Sequence, residues 1–167
     1  MKRLPLLLLA LSFLMVGPLA KAQVGIYATG GGAKLSDTWT YGPTFGIYRD
    51  SHHFPLINFG VDARVAIFNS NSNVKLYNGL IGPRAVVHLP IIPIKPYVEG
   101  LIGAGHITGN SLASKTTFSY GVAAGADLTF FPRLDWRVVD FTYGGFSSGN
   151  TNQTSISTGL VFRLPIP

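Results

Sequence analysis

Apolar and polar positions alternate along most of this chain, and one stretch shows the pattern at full length. In residues 118–131, FSYGVAAGADLTFF, the even positions are Phe118, Tyr120, Val122, Ala124, Ala126, Leu128 and Phe130. The odd positions are Ser119, Gly121, Ala123, Gly125, Asp127 and Thr129. Successive side chains of a strand point to opposite faces, so the run predicts a β-strand with one apolar, ring-capped face and one small, polar face. Helical spacing sorts these residues into no comparable pair of faces.

The same parity recurs. Phe59, Val61, Ala63, Val65 and Ile67 oppose Asn58, Gly60, Asp62, Arg64 and Ala66; Ile156, Thr158, Leu160, Phe162 and Leu164 oppose Ser155, Ser157, Gly159, Val161 and Arg163. Tyr77, Ile81, Ala85 and Val87 oppose Asn78, Gly82, Arg84 and His88. Glu99 shares a face with Tyr97 and Leu101, beside Gly103 and Gly105. Strands are predicted near 24–34, 40–48, 57–68, 75–88, 96–108, 116–130, 136–145 and 154–164. In the seventh, Val139, Phe141 and Tyr143 oppose Asp140 and Thr142, which leaves Arg137 on the apolar face, where it is expected to snorkel at a rim. Pro83 removes a ladder donor and predicts a bulge or kink in the fourth strand.

The connections alternate in character. Those near 35–39, 69–74, 109–115 and 146–153 are polar, whereas those near 49–56, 89–95 and 131–135 carry Pro55, Pro90, Pro93 and Pro132 among apolar neighbours. That alternation predicts an up-and-down meander whose two ends face different compartments. From Tyr120 to Phe130 the chain covers roughly 33 Å. Tilted by ~40°, this spans the apolar band of about 25 Å found on barrels that cross an outer membrane. The fold class expected is therefore all-β, an eight-stranded antiparallel up-and-down transmembrane β-barrel, with both termini on the periplasmic side.

Composition decides which face is outside. Only 12% of the residues are charged, whereas a soluble domain carries about 25–35% on its surface. A water-soluble barrel would present Lys and Glu outward; here the polar face holds Gly, Ser, Ala and Thr with about one charge per strand. Eight strands leave an interior just wide enough for side chains, which those small residues suit. The aromatic residues Phe118, Tyr120, Phe130, Phe141, Tyr143 and Phe162 are thus assigned to a lipid-facing girdle. Asp62, Arg64, Arg84, Glu99, Asp127, Asp140 and Arg163 are assigned to a polar network in the lumen.

The first 22 residues read as a cleavable signal peptide: Lys2-Arg3, an apolar run from Leu4 to Ala20, then Ala20-Lys21-Ala22. Cleavage is expected between Ala22 and Gln23, leaving 23–167 as one barrel domain. Lys2, Arg3 and Lys21 leave with the leader and the formal charge falls from +6 to +3. That modest balance, without a basic run, argues against nucleic acid. The chain has no Cys, so it offers neither disulfides nor thiol chemistry.

With the signal peptide, the eight amphipathic segments and strands such as PYVEGLIGAG and RVVDFTYG, the chain resembles the small eight-stranded outer-membrane barrels of the OmpA-like, OmpX-like and opacity-protein (porin-family) class. The likeness covers essentially the whole mature chain. It implies a location in the bacterial outer membrane, insertion by the barrel-assembly machinery, and a C-terminal assembly signal matched here by Ser157, Gly159, Phe162 and Leu164. The outer loops are shorter than is usual in the class, and no appended peptidoglycan-binding domain is expected after the eighth strand.

Little in the chain points to chemistry. The seven lumenal charges suit a salt-bridged plug better than an ion path, because charges in a dry interior must be paired. No strand brings two carboxylates together by spacing for acid–base work. His52 and His53 are adjacent and so point apart, and with His88 they lack the further ligands of a metal site. ATGGGAK at 28–34 lacks the Gly-Lys-Ser/Thr and following helix of a phosphate loop, and suits a strand that lets backbone pack closely. No enzyme activity and no cofactor are predicted. The expected partners are outer-membrane lipid, the assembly machinery and an unknown target of the outer loops. The expected role is structural or interactive with a plugged lumen; the alternative is a narrow porin-like channel or a small-ligand carrier.

Overall fold

The computed structural model describes residues 23–35, 38–52, 54, 56–70, 75–89, 91–109, 112–147 and 151–164. Residues 1–22, where the signal peptide and its Ala22 cleavage site are expected, His53, Pro55, Pro90 and the tips of the polar loops lie outside the described residues. The strands are β1 (Gln23–Leu35), β2 (Thr38–His52), β3 (Ile57–Asn69) and β4 (Lys75–Val87), then β5 (Ile94–Gly109), β6 (Leu112–Phe131), β7 (Leu134–Phe146) and β8 (Thr151–Leu164). They pair antiparallel in chain order, and β8 returns to β1 from Val24 opposite Leu164 to Leu35 opposite Gln153. The barrel is closed. Closure suits hydrocarbon, which offers no partner to the open N–H and C=O groups of a sheet edge.

Every expected segment falls on a strand. Most strands run further than expected, and β2 continues to His52. Outward-facing side chains form an apolar belt in which Phe118, Tyr120, Phe130, Phe141, Tyr143 and Phe162 are each 44–53% exposed. Trp39, Tyr41, Tyr77 and Tyr120 ring one end of the belt, and Phe59, Phe130, Trp136 and Phe162 the other.

The parity breaks within β7. Ala126 faces Val139 but Asp127 faces Arg137, so Val138 is an extra residue relative to β6. Against β8 the register shifts between Arg137 and Asp140. This β-bulge turns Asp135 and Arg137 inward on one side and keeps Asp140 inward on the other. Arg137 does not snorkel at the rim as expected; it is fully buried inside the barrel. Beside the bulge, Thr158 Oγ1 donates to the Arg137 carbonyl at 2.9 Å while accepting from Trp136 Nε1 at 3.0 Å. A hydroxyl on the lipid-facing side of β8 thereby satisfies a backbone oxygen that the bilayer could not.

Of the bulge or kink expected at Pro83, the bulge is absent. Pro83 sits opposite Val61 in an unbroken β3–β4 ladder, and the β4–β5 register is the same on both sides of Gly82 and Pro83, where pairing lapses. The missing donor is absorbed by unpaired positions rather than by an inserted residue.

Candidate functional site

Three arginines meet across the barrel interior, delivered by β3, β4 and β7. Each pair of guanidinium groups shares one carboxylate. Glu99 of β5 accepts from Arg64 Nη2 at one oxygen and from Arg84 Nη1 at 2.6 Å at the other. Asp127 of β6 joins Arg84 (Nη2 to Oδ2, 3.2 Å) to Arg137 (Nε to Oδ1, 2.9 Å). Asp140 joins Arg64 Nη1, at 3.2 Å, to Arg137 Nη1, at 3.4 Å. The result is a closed ring of three cations and three anions alternating in sign. Two further carboxylates cap it: Asp62 accepts from Arg64 Nε at 2.9 Å, and Asp50 lies 3.4 Å from Arg84 Nε. Burial would be costly for any of these charges alone and is tolerable here because each arginine has several anionic partners.

Tyrosines hold the guanidinium planes. Arg84 lies 4.4 Å from the ring centre of Tyr48 and 4.0 Å from that of Tyr97. Arg137 lies 4.0 Å from Tyr27 and 4.7 Å from Tyr97. These contacts add cation–π attraction, and the hydroxyls join the network: Tyr27 donates to Asp62 at 3.0 Å and Tyr97 to Asp140 at 2.5 Å. Each tyrosine has room because its direct cross-strand partner is a glycine. Tyr27 faces Gly46, Tyr48 faces Gly25 and Tyr97 faces Gly125.

Above and below the ring the interior changes character. Toward the polar loops lies a cavity of about 30 Å³, lined by Thr29, Thr44, Asn78, Gln153, Ser155 and Ser157 among others. Beyond it, Ala33, Ala66, Phe68, Leu76 and Phe146 pack as an apolar cluster at the end that carries the polar loops. At the end that carries the strand termini, Asp135 pairs with Lys95 at 2.9 Å and with Arg163 at 3.1 Å.

Of the residues assigned to the lumen from sequence, Asp62, Arg64, Arg84, Glu99, Asp127 and Asp140 converge on the ring and its caps. Arg163 points inward but belongs to the separate Asp135 cluster and makes no contact with the ring. Sequence reasoning missed Asp50, Lys95, Asp135, Arg137 and the three tyrosines. Asp50, Lys95 and Asp135 lie in the parts of β2, β5 and β7 that extend past the predicted boundaries. Continuing the parity by one or two residues would have found Asp50 and Lys95, whereas Asp135 shares the parity of Arg137 and turns inward only through the bulge. Arg137 carried no local signal, because the bulge that reorients it depends on its neighbours.

The remaining sequence candidates are placed as follows. His88 Nδ1 lies 3.4 Å from Asn58 Nδ2 at the terminal end, and His53 is outside the described residues. Residues 28–34 lie wholly within β1, laddered to β2 and β8, so the glycine run is strand rather than phosphate loop. Of the assembly-signal residues, Ser157 and Gly159 face in and Phe162 faces out.

Comparison with known proteins agrees with this architecture. The structure resembles Neisserial surface protein A, with a TM-score of 0.56 at 19% identity over 86% of this chain and 97% of that one. It resembles Ail, the attachment invasion locus protein of Yersinia pestis, with a TM-score of 0.52 at 14% identity over 86% and 97%. The outer membrane enzyme PagL gives 0.51 at 18% identity over 85% and 99%, so the shared fold accommodates catalysis as well. No curated protein matches the chain in sequence. The family description "Outer membrane protein beta-barrel domain" matches residues 6–163. With a closed eight-stranded barrel that is apolar outside and charged within, the chain belongs to the outer-membrane β-barrel family and is a protein of the bacterial outer membrane.

Proposed function

We propose that this barrel serves a structural or interaction role, is not an enzyme, and keeps its lumen shut by the ring of Arg64, Glu99, Arg84, Asp127, Arg137 and Asp140. The ring is the observation that carries the reading. A continuous aqueous path would require parting buried ion pairs, and stranding one buried charge costs about 3–5 kcal/mol. The apolar cluster at the outer end supplies a second closure. The cavity between them suits a water or two and is far below the roughly 300–1,000 Å³ of a small-molecule pocket, which weighs against ligand carriage.

Planar-bilayer recording tests this reading. The refolded wild type should be silent, and stable open steps would favour the alternative of a narrow channel. The partners that fit are lipid along the apolar belt, the assembly machinery reading Ser157, Gly159, Phe162 and Leu164 during insertion, and a target at the outer loops. An enzymatic reading would start from His106, whose Nδ1 lies 2.9 Å from Thr116 Oγ1 on the exposed face. Against it, the carboxylates among the described residues are all buried in the interior, so none stands beside that pair. Loss of lipid-ester hydrolysis in His106→Ala, against measurable turnover in the wild type, would reject the non-enzymatic reading.

A further inference from the structure

The end of the barrel that carries the strand termini has an unusual surface. Its turns are apolar: Ile91 is 93% exposed, Phe131 61%, and Leu56 and Ile92 50% each. They are laced together rather than hanging separately. His88 N donates to Leu56 O at 2.8 Å, Thr129 N to Pro93 O at 2.9 Å, and Arg163 N to Arg133 O at 2.8 Å. The patch is continuous with the lipid-facing belt through Ile94, which pairs with Leu128 beside the Phe130 girdle. Ile91 stands three residues further out, roughly 10 Å of chain.

Charge around this rim is of one sign. The described acids, Asp50, Asp62, Glu99, Asp127, Asp135 and Asp140, are all buried inside. The exposed charges flanking the apolar turns are Arg49 on the outer face of β2 and Arg133 in the β6–β7 turn. Arg133 holds a left-handed backbone, φ 71°, a conformation that glycine adopts without strain.

We propose that this periplasmic rim seats anionic phospholipid of the inner leaflet, with Leu56, Ile91, Ile92 and Phe131 among the acyl chains and Arg49 and Arg133 on the phosphates. Apolar continuity with the belt selects lipid over water. The unopposed guanidinium groups select anionic over zwitterionic headgroups, which basic side chains near a membrane surface favour electrostatically.

The absence of native cysteine makes a clean test available. Ile91→Cys carrying a nitroxide is refolded into vesicles of phosphatidylcholine alone or mixed with phosphatidylglycerol, with Ser147→Cys as the exposed outer-end control. Gel mobility before and after boiling confirms folding of each variant. At position 91 the nitroxide should be relaxed by oxygen and shielded from a water-soluble nickel chelate, more so in the anionic vesicles. Combining Arg49→Gln with Arg133→Gln should abolish that lipid dependence and lower the preference for the anionic lipid, by about fivefold per arginine. A nitroxide at 91 as accessible to the chelate as one at 147 overturns the proposal and points to a rim that meets a periplasmic protein. Shielding that is identical in the two lipids, with or without the arginines, overturns the anionic selectivity.

Discussion

The ring of Tyr27 lies over Gly46, its direct partner across the β1–β2 ladder, in the space that a Cβ at Gly46 would occupy. Tyr48 over Gly25 and Tyr97 over Gly125 repeat the relationship. The glycines therefore do more than relieve crowding: they set where the aromatic faces lie, and the faces set where Arg84 and Arg137 stack. Gly46→Ala should push Tyr27 off the Arg137 guanidinium and cost about 1–3 kcal/mol, as overpacking does. Gly30→Ala, with nothing within 4 Å of the added atom, should be neutral or mildly stabilising. Urea unfolding in lipid vesicles, followed by heat-modifiable gel mobility, separates the two.

Removing one arginine should be far worse than its loss of packing suggests. Arg84→Ala leaves Glu99, Asp127 and Asp50 sharing fewer cations in a buried setting, and the expected loss is about 3–5 kcal/mol. Arg163→Ala, at the partly open terminal end with a side chain 21% exposed, should cost clearly less. Equal losses from the same unfolding assay would mean that the ring has no special standing among the lumenal charges.

Thr158 is a hydroxyl on a lipid-facing surface, and its structural reason is the β7 bulge. Thr158→Val keeps shape and belt while stranding the Arg137 carbonyl and the Trp136 indole N–H. The expected cost is about 1–3 kcal/mol, the penalty of an unsatisfied buried group. Trp136 emission should report the lost partner at the same time. Leu160→Val, two residues along on the same face, should leave that emission unchanged.

The facing of β6 is testable at two adjacent positions. Ala124→Arg puts a charge in mid-belt and should cost roughly 2–4 kcal/mol of membrane-folded stability. Gly125→Arg should fail to fold through crowding, because the Tyr97 hydroxyl already fills the space above Gly125. Ser147→Arg, exposed beyond the end of β7, should change little. Equal small effects at 124 and 147 would reject the lipid-facing assignment.

Strand number, strand order and the two faces were legible in the alternation of residues such as Tyr120 and Gly121, because facing is a local property of an extended chain with period two. The same parity placed Asp62, Glu99 and Asp127 inside. What the alternation could not say was which carboxylate meets which arginine. Glu99 reaches Arg64 two strands away, and Asp140 reaches it from the far side of the lumen, because the closed barrel brings distant strands to one level. Arg137 makes the point most sharply. Its neighbours put it on the greasy face, and a single extra residue, Val138, accommodated only when β7 is laddered to β6 and β8, turns it inward to complete the ring. The sequence by itself determined an apolar cylinder with charges inside; only closure and the bulge decided that three arginines and three carboxylates form one alternating circuit, since pairing across strands depends on register and register is a property of the whole sheet.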